Sequence, residues 1–452
     1  TYSILCISLL SAREGVSLKK LHYENAVTKL KEGQMDKSHM PVAPSDSLNI
    51  APPQKTRKTR GQRLRRAFVV CSMLLLISAI LLSQGNGEVG AWFADTSRAI
   101  LGPTITAQIE AWYLGGNDLV HQMEYHLSGQ SVAAPWTIGP TPTIGIPPTT
   151  SPNLPTPMAL PNIAPIVTSA IAGEGTWITQ EMAPAPYNAL PLVAKTFFQP
   201  DPSHPYAVVT LLQFDSRFVM LHMVAGSREP GGPRGNFGPG RIPATDQSGN
   251  ALLAAFNGGF KYSDGQYGMK VNGVVYVPPQ SGAATLAVTR EGQIILGAWG
   301  VDPRLNNSDA DLVAWRQNAS LLIDQGTINP LTHDGAAWGG TILNRAYTWR
   351  SGIGITAQGT LVYAAGNSLT ALTLATALKA AGAVTAMQTD INPLWVRAFL
   401  YARNSQGKLT IAKLNPSMQG NGTEYLNSTE RDFFYLTRIM PSSLPPSQTH
   451  SQ

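Results

Sequence analysis

Residues 369–390 read LTALTLATALKAAGAVTAMQTD, and within them the chain changes from one kind of regular structure to another. Leu372, Leu374, Ala375, Leu378 and Ala381 can share one helical face over Leu369–Ala381, with Asn367 or Ser368 as its cap. After Gly382 the run from Ala383 to Gln388 has the length and apolar character of a buried strand, and it ends in Thr389-Asp390-Ile391-Asn392. One helix beside one strand that delivers a carboxylate is the local pattern. Asp390 is a candidate acid, base or nucleophile, with capping of the strand end as the alternative.

Outward from this stretch, short β-rich runs are separated by Gly, Asn, Asp and Pro clusters: Tyr206–Gln213, Arg217–Ala225, Ala251–Phe256, Ala284–Val288 and Gln293–Ala298. A second helical pattern is read over Asp309–Gln317. Many strands with few interposed helices imply an α+β fold of mixed, largely antiparallel β-sheets. This domain is expected over residues 171–440, with a disordered tail over 441–452.

The residues before the domain have a different texture. Ten prolines between Pro135 and Pro165 imply an extended spacer over 131–170. Apolar spacing in 87–130 fits a helical stalk. From Ala67 to Ser83 the sequence is AFVVCSMLLLISAILLS, and no charge occurs between Arg66 and Glu88, so a transmembrane helix is expected over 67–86. Residues 1–66 hold thirteen Lys/Arg against five Asp/Glu, whereas the remainder holds twenty against twenty-two, so the basic balance belongs to the tail. Seven of those basic residues lie within Lys55–Arg66, which places a largely disordered tail in the cytoplasm and the domain outside. A cleaved secretory signal is the alternative, but the apolar run lies far from the N-terminus and lacks a small-x-small site. Topology accounts for the basic cluster without nucleic acid, which is not expected as a partner. Cys6 and Cys71 are the only cysteines, so burial rather than disulfides must hold the external domain.

Three segments combine apolar runs with polar ends. In Ala254–Lys261 (AAFNGGFK), an Asn-Gly-Gly turn can bring backbone amides near a ligand, or can simply be a hairpin turn. In Thr348–Ile355 (TWRSGIGI), the Arg350 fork suits an oxyanion, a structural arginine being the alternative. The third segment is the Asp390 strand.

Together, in this order, the three segments resemble the phosphodiester glycosidase family, and the likeness covers most of residues 175–435, taking in Tyr206–Gly226, Glu229-Pro230-Gly231 and Leu361–Asp390. The resemblance implies hydrolysis of a sugar-phosphate diester by a membrane-anchored bacterial member, a reading that the lack of external cysteines favours. It assigns Asn257, Gly258 and Gly259 to substrate binding, Arg350 to an anion clamp and Asp390 to proton transfer. Asp324, in Leu321–Gly326, is the candidate second carboxylate, with a turn aspartate as the alternative. Lys270 and Lys261 could add positive potential, and His333 a proton shuttle or a loop over the site. Better-known members continue the aspartate strand with glycines and a serine. Here Ile391-Asn392-Pro393-Leu394-Trp395 follows, which suggests a reshaped site in which Trp395 stacks on a sugar ring. No cofactor is expected, and no metal site, because no His or carboxylate spacing fits one. The expected ligand is a glycan or sugar phosphate, either hydrolysed or only bound by a non-catalytic surface module.

Overall fold

The computed structural model describes residues 118–129, 132–137, 156–183, 187, 190–232, 237–306, 311–339, 347–391 and 393–439. The tail over 1–66, the span over 67–86 and the residues 441–452 lie outside them, as does Asn392. No helix among the described residues is long and apolar enough to cross a membrane.

Among the described residues, three sheets form the domain. The largest has the order β1 (Ile178–Met182), β2 (Pro191–Phe198), β3 (Val209–Phe214), β14 (Leu361–Leu369), β13 (Thr348–Thr356), β15 (Ala383–Gln388), β11 (Leu321–Asp324) and β12 (Thr327–Ile328). A second has the order β7 (Val274–Val277), β6 (Met269–Val271), β10 (Leu312–Asn318), β8 (Ala284–Thr289) and β9 (Ile294–Ala298). The third has the order β17 (Leu409–Lys413), β16 (Ala398–Arg403), β5 (Leu252–Asn257), β18 (Phe433–Arg438) and β4 (Val219–Val224). Every neighbouring pair in the three sheets is antiparallel, and the class is the expected α+β with few helices.

Strand alternation decides which side chains meet. Leu212, Phe214, Tyr363, Ala365, Ile353 and Met387 enter one central core shared by all three sheets. Their chain neighbours Leu211, Val362, Ala364 and Ala386 point to the other face of the largest sheet, which helix α1 (Ala371–Ala380) covers with Leu374, Ala375 and Leu378. Gly352 lies beneath this helix, and a Cβ there would stand 3.0 Å from Leu378 Cδ1 and 2.9 Å from Met387 O. The small residues of β13 thus admit a helix.

Two local expectations change. Thr370, not Asn367 or Ser368, caps α1, in a reciprocal capping box with Thr373. The chain is still in β14 up to Leu369, with Ser368 at φ 55°, so the helix starts later than the apolar pattern suggests. The second correction concerns Asp309–Gln317, where the described part is strand β10 and not helix. This run pairs on both sides, with β6 and β8, and its residues are buried on both faces, which removes the alternation that marks a strand.

Part of the sequence before the domain also rests on it. Residues 118–127 are helical, with the Tyr206 hydroxyl 3.2 Å from Asp118 Oδ1 and the Asn367 amide 3.0 Å from His121 Nε2. In the proline-rich stretch read as a spacer, Met158 and Ile163 are buried on the helix-covered side. The carbonyls of Thr156, Ala159 and Pro161 accept from Arg217, Gln213 and Trp177.

Candidate active site

Asn257 ends β5 of the third sheet, and its carboxamide is the joint between that sheet and the largest one. Its Nδ2 donates to Ser351 Oγ at 3.0 Å and Thr389 Oγ1 at 3.3 Å, while its Oδ1 accepts from the Tyr363 hydroxyl at 2.8 Å. Ser351 and Thr389 hydroxyls are 2.7 Å apart, and the Ser351 amide donates to the Asp390 carbonyl at 2.9 Å. A side chain with both donor and acceptor is needed here, because its neighbours present hydroxyls and a backbone amide together. Asn257 therefore fixes the backbone from which Asp390 projects. It is a buried positioning residue.

The Asn-Gly-Gly-Phe turn that follows wraps a carboxylate of the protein itself. Gly258 N donates to Asp432 O at 3.0 Å, Gly259 N to Asp432 Oδ2 at 3.1 Å, and Phe260 N to Asn318 Oδ1 at 3.3 Å. A Cβ on Gly258 would overlap the Asp432 carboxylate, and one on Gly259 would lie 2.9 Å from Arg316 Cζ. Asp432 is in turn gripped by Arg316 through Nε at 2.8 Å and Nη2 at 3.1 Å, both side chains being 1% exposed. The glycines are required by this internal ion pair, and their amides are already engaged. In this structure the amides of Gly258 and Gly259, expected to bind substrate, serve Asp432.

Asp390 follows β15 and meets Arg431, which precedes β18. Asp390 Oδ2 accepts from Arg431 Nη2 at 2.9 Å, and Oδ1 accepts from Ile391 N at 2.8 Å. Arg431 Nη2 also donates to Gly259 O at 2.8 Å, which connects the pair to the glycine turn. Asp390 is 5% and Arg431 7% exposed. Burial lifts the Asp390 carboxyl to about 6 against the opposing pull of Arg431, with Asp432 and Asp264 adding to the rise. A carboxyl group divided between its two protonation states near neutrality is suited to proton transfer.

Arg350 stands apart from this group. Ser351 points into the central core, so Arg350, its chain neighbour in β13, points to the helix-covered face. There its Nε donates to Leu369 O at 2.9 Å and its Nη1 to Gln388 Oε1 at 2.7 Å and Trp338 O at 3.2 Å. Burial lowers it to about 10, and it remains cationic at neutral pH while bracing carbonyls. Asn257 and Asp390 are brought together, and Arg350 is separated from them by the thickness of the sheet.

Other expected site residues are placed elsewhere. Asp324 is exposed in the β11–β12 hairpin, whose Gly326 amide donates to Val384 O at the start of β15. Asp390 lies past the opposite end, roughly 20 Å along the strand at ~3.3 Å per residue. Lys270 donates to Leu312 O at 2.7 Å on β10. His333 is exposed on the turn Pro330–His333; Gly339, just beyond, packs near Phe260 and Ile391, but among the described residues no hydrogen bond joins His333 to Asn257, Asp390 or Arg431. Trp395 is 6% exposed, and the guanidinium groups of Arg397 and Arg431 each lie 5.1 Å from its ring centre. Its flat surface is a seat for cations rather than an open platform for a sugar.

The sequence reading missed Arg316, Arg431 and Asp432. Arg431-Asp432 immediately precedes the apolar strand Phe433–Arg438, and two opposite charges at the mouth of a buried strand are the signal that could have found these two, whereas Arg316 lies inside β10 without such a signal.

Against known proteins, the model for the phosphodiester glycosidase family matches residues 250–390. No curated protein matches. Among solved structures, the catalytic domain of zebrafish N-acetylglucosamine-1-phosphodiester alpha-N-acetylglucosaminidase, auto-inhibited by its pro-peptide, is 14% identical, with 58% of this chain and 88% of that one covered at a TM-score of 0.37. A hypothetical protein from Synechocystis is 12% identical, with 52% and 59% covered and a TM-score of 0.31. The matched segment begins at the strand that carries Asn257 and ends on Asp390, so the part of the chain similar to that family holds both residues.

Proposed function

We propose that the chain is a hydrolase of a glycosyl phosphodiester in a cell-surface or exopolysaccharide glycan, with Asp390 as its proton-transferring carboxyl group. The observation that carries this reading is the state of Asp390, buried, raised to about 6 and held at a strand end by Arg431. In such a reaction the bond between the anomeric carbon and the phosphate oxygen breaks, water supplies the new hydroxyl, and a carboxyl group manages the proton. Asn257 keeps Asp390 in place through Ser351 and Thr389. The expected anchor over 67–86, with residues 1–66 in the cytoplasm, would present the domain outside the cell as a single-pass membrane protein.

A second reading, an anionic-glycan-binding module without turnover, is favoured by one feature. Asp432, the carboxylate beside Asp390, is locked onto Arg316, and Asp324 is distant, so neither stands as a second unengaged carboxyl group next to Asp390. The test is to incubate the full chain with glycosyl phosphodiesters and measure free sugar and phosphomonoester. Release that is lost in Asp390→Asn supports the hydrolase. Binding with no release by the wild type supports the module.

A further inference from the structure

Arg316 and Arg431 are both buried and both face an aspartate, but they use their guanidinium groups differently. Arg316 engages Asp432 with the Nε and Nη2 prongs together. Arg431 gives Asp390 only Nη2, which also donates to Gly259 O at 2.8 Å, while Oδ1 of that aspartate accepts from the Ile391 amide. Its Nε is buried and makes no hydrogen bond among the described residues. A buried N–H of a cation without an acceptor is costly, and the edge formed by Nε and Nη2 has the spacing of two oxygens of a carboxylate or phosphate. The same guanidinium lies over Trp395, with Arg397 on that ring as well, so a second positive charge stands nearby.

We propose that Arg431, and not Arg350, receives the anionic phosphoryl oxygens of the ligand, on the Nε–Nη2 edge that it now shares with Asp390. The inference rests on the phosphodiester reading for its ligand class and adds the residue that holds the anion. An incoming oxyanion and the Asp390 carboxylate then compete for Nη2. By linkage, whatever neutralises Asp390 strengthens anion binding, and a bound anion favours neutral Asp390 by the same factor. Arg431 would thus touch the ligand and set the protonation of the neighbouring acid in one contact.

The probe is dimethyl phosphate, a diester monoanion without a sugar, titrated calorimetrically into the full chain, with inorganic phosphate as a parallel arm to distinguish diester from free phosphate. Arg431→Lys, which keeps the charge and loses the fork, should weaken dimethyl phosphate at least tenfold. Asp390→Asn, which removes the competing charge and keeps the shape, should tighten it severalfold. Wild-type protein that binds neither probe, an Arg431→Lys affinity within twofold of wild type, or an Asp390→Asn affinity that is unchanged or weaker would each overturn the proposal. Binding of inorganic phosphate alone would also overturn it. Diester turnover that depends on Asp390 while anion affinity ignores Arg431 would leave the hydrolase standing and remove the anion site. The predicted affinity pattern with no turnover of any glycosyl phosphodiester would do the reverse.

Discussion

Two neighbouring residues, Arg431 and Asp432, each belong to a buried arginine–aspartate pair, and the two pairs have opposite characters. In the Arg316–Asp432 pair, Arg316 also donates to the carbonyls of Phe260 at 2.6 Å and Gln317 at 2.8 Å, while Asp432 accepts from the Gly259 amide. Its hydrogen-bonding capacity is spent inside the protein. In the Arg431–Asp390 pair one prong of the guanidinium has no acceptor among the described residues, and the carboxyl is pushed up to about 6. A saturated buried pair specifies architecture, whereas an unsaturated one retains capacity for a ligand.

The largest effect that should separate the two pairs is on stability. Asp432→Ala leaves the Arg316 charge buried and unpaired, and it should cost about 3–5 kcal/mol in denaturant unfolding. A loss near zero would mean that this pair is not the structural one. For Asp390 the sign depends on pH. Its folded-state value lies above its ordinary one of 3.8, so the folded protein holds the proton longer than the unfolded chain does. The stabilisation is present below about 4 and is lost as pH rises towards about 6, a change of at most about 3 kcal/mol. Unfolding of the wild type across that window should show this decline, and Asp390→Asn should abolish it.

Smaller effects sharpen the contrast. Gly258→Ala pushes a methyl group into the Asp432 carboxylate and should destabilise by about 1–3 kcal/mol. Thermal unfolding indistinguishable from wild type would show that the turn yields freely. Asp324→Asn, in the exposed hairpin, should change stability by no more than about 0.5 kcal/mol and leave activity intact. A loss of turnover in that variant would restore Asp324 to the site.

How much of this was legible in sequence varies with the distance between partners. Helix α1 and strand β15 were readable because their apolar spacing is local, and Asn257 and Asp390 stood out because each ends an apolar run. Residue order alone did not show which face of β13 Arg350 takes, since that depends on the strands packed around it. Arg431 and Asp432 were overlooked because their meaning lies in partners 41 and 116 residues away along the chain. Strand β10 was misread as helix because pairing on both sides, together with burial of both faces, overrides its local pattern. Trp395 follows a proline in a loop and resembles an exposed platform, yet two arginines cover its ring.

The central claim is that Asp390, against a partly unengaged Arg431, is the reacting group of this domain. The most direct measurement is kcat/KM for a glycosyl phosphodiester with wild-type protein and with folded Asp390→Asn. A fall of at least about a hundredfold, with thermal unfolding retained, is the predicted result. Catalysis within about threefold of wild type would contradict it, since a proton-transferring carboxyl group contributes on the order of 10²-fold or more.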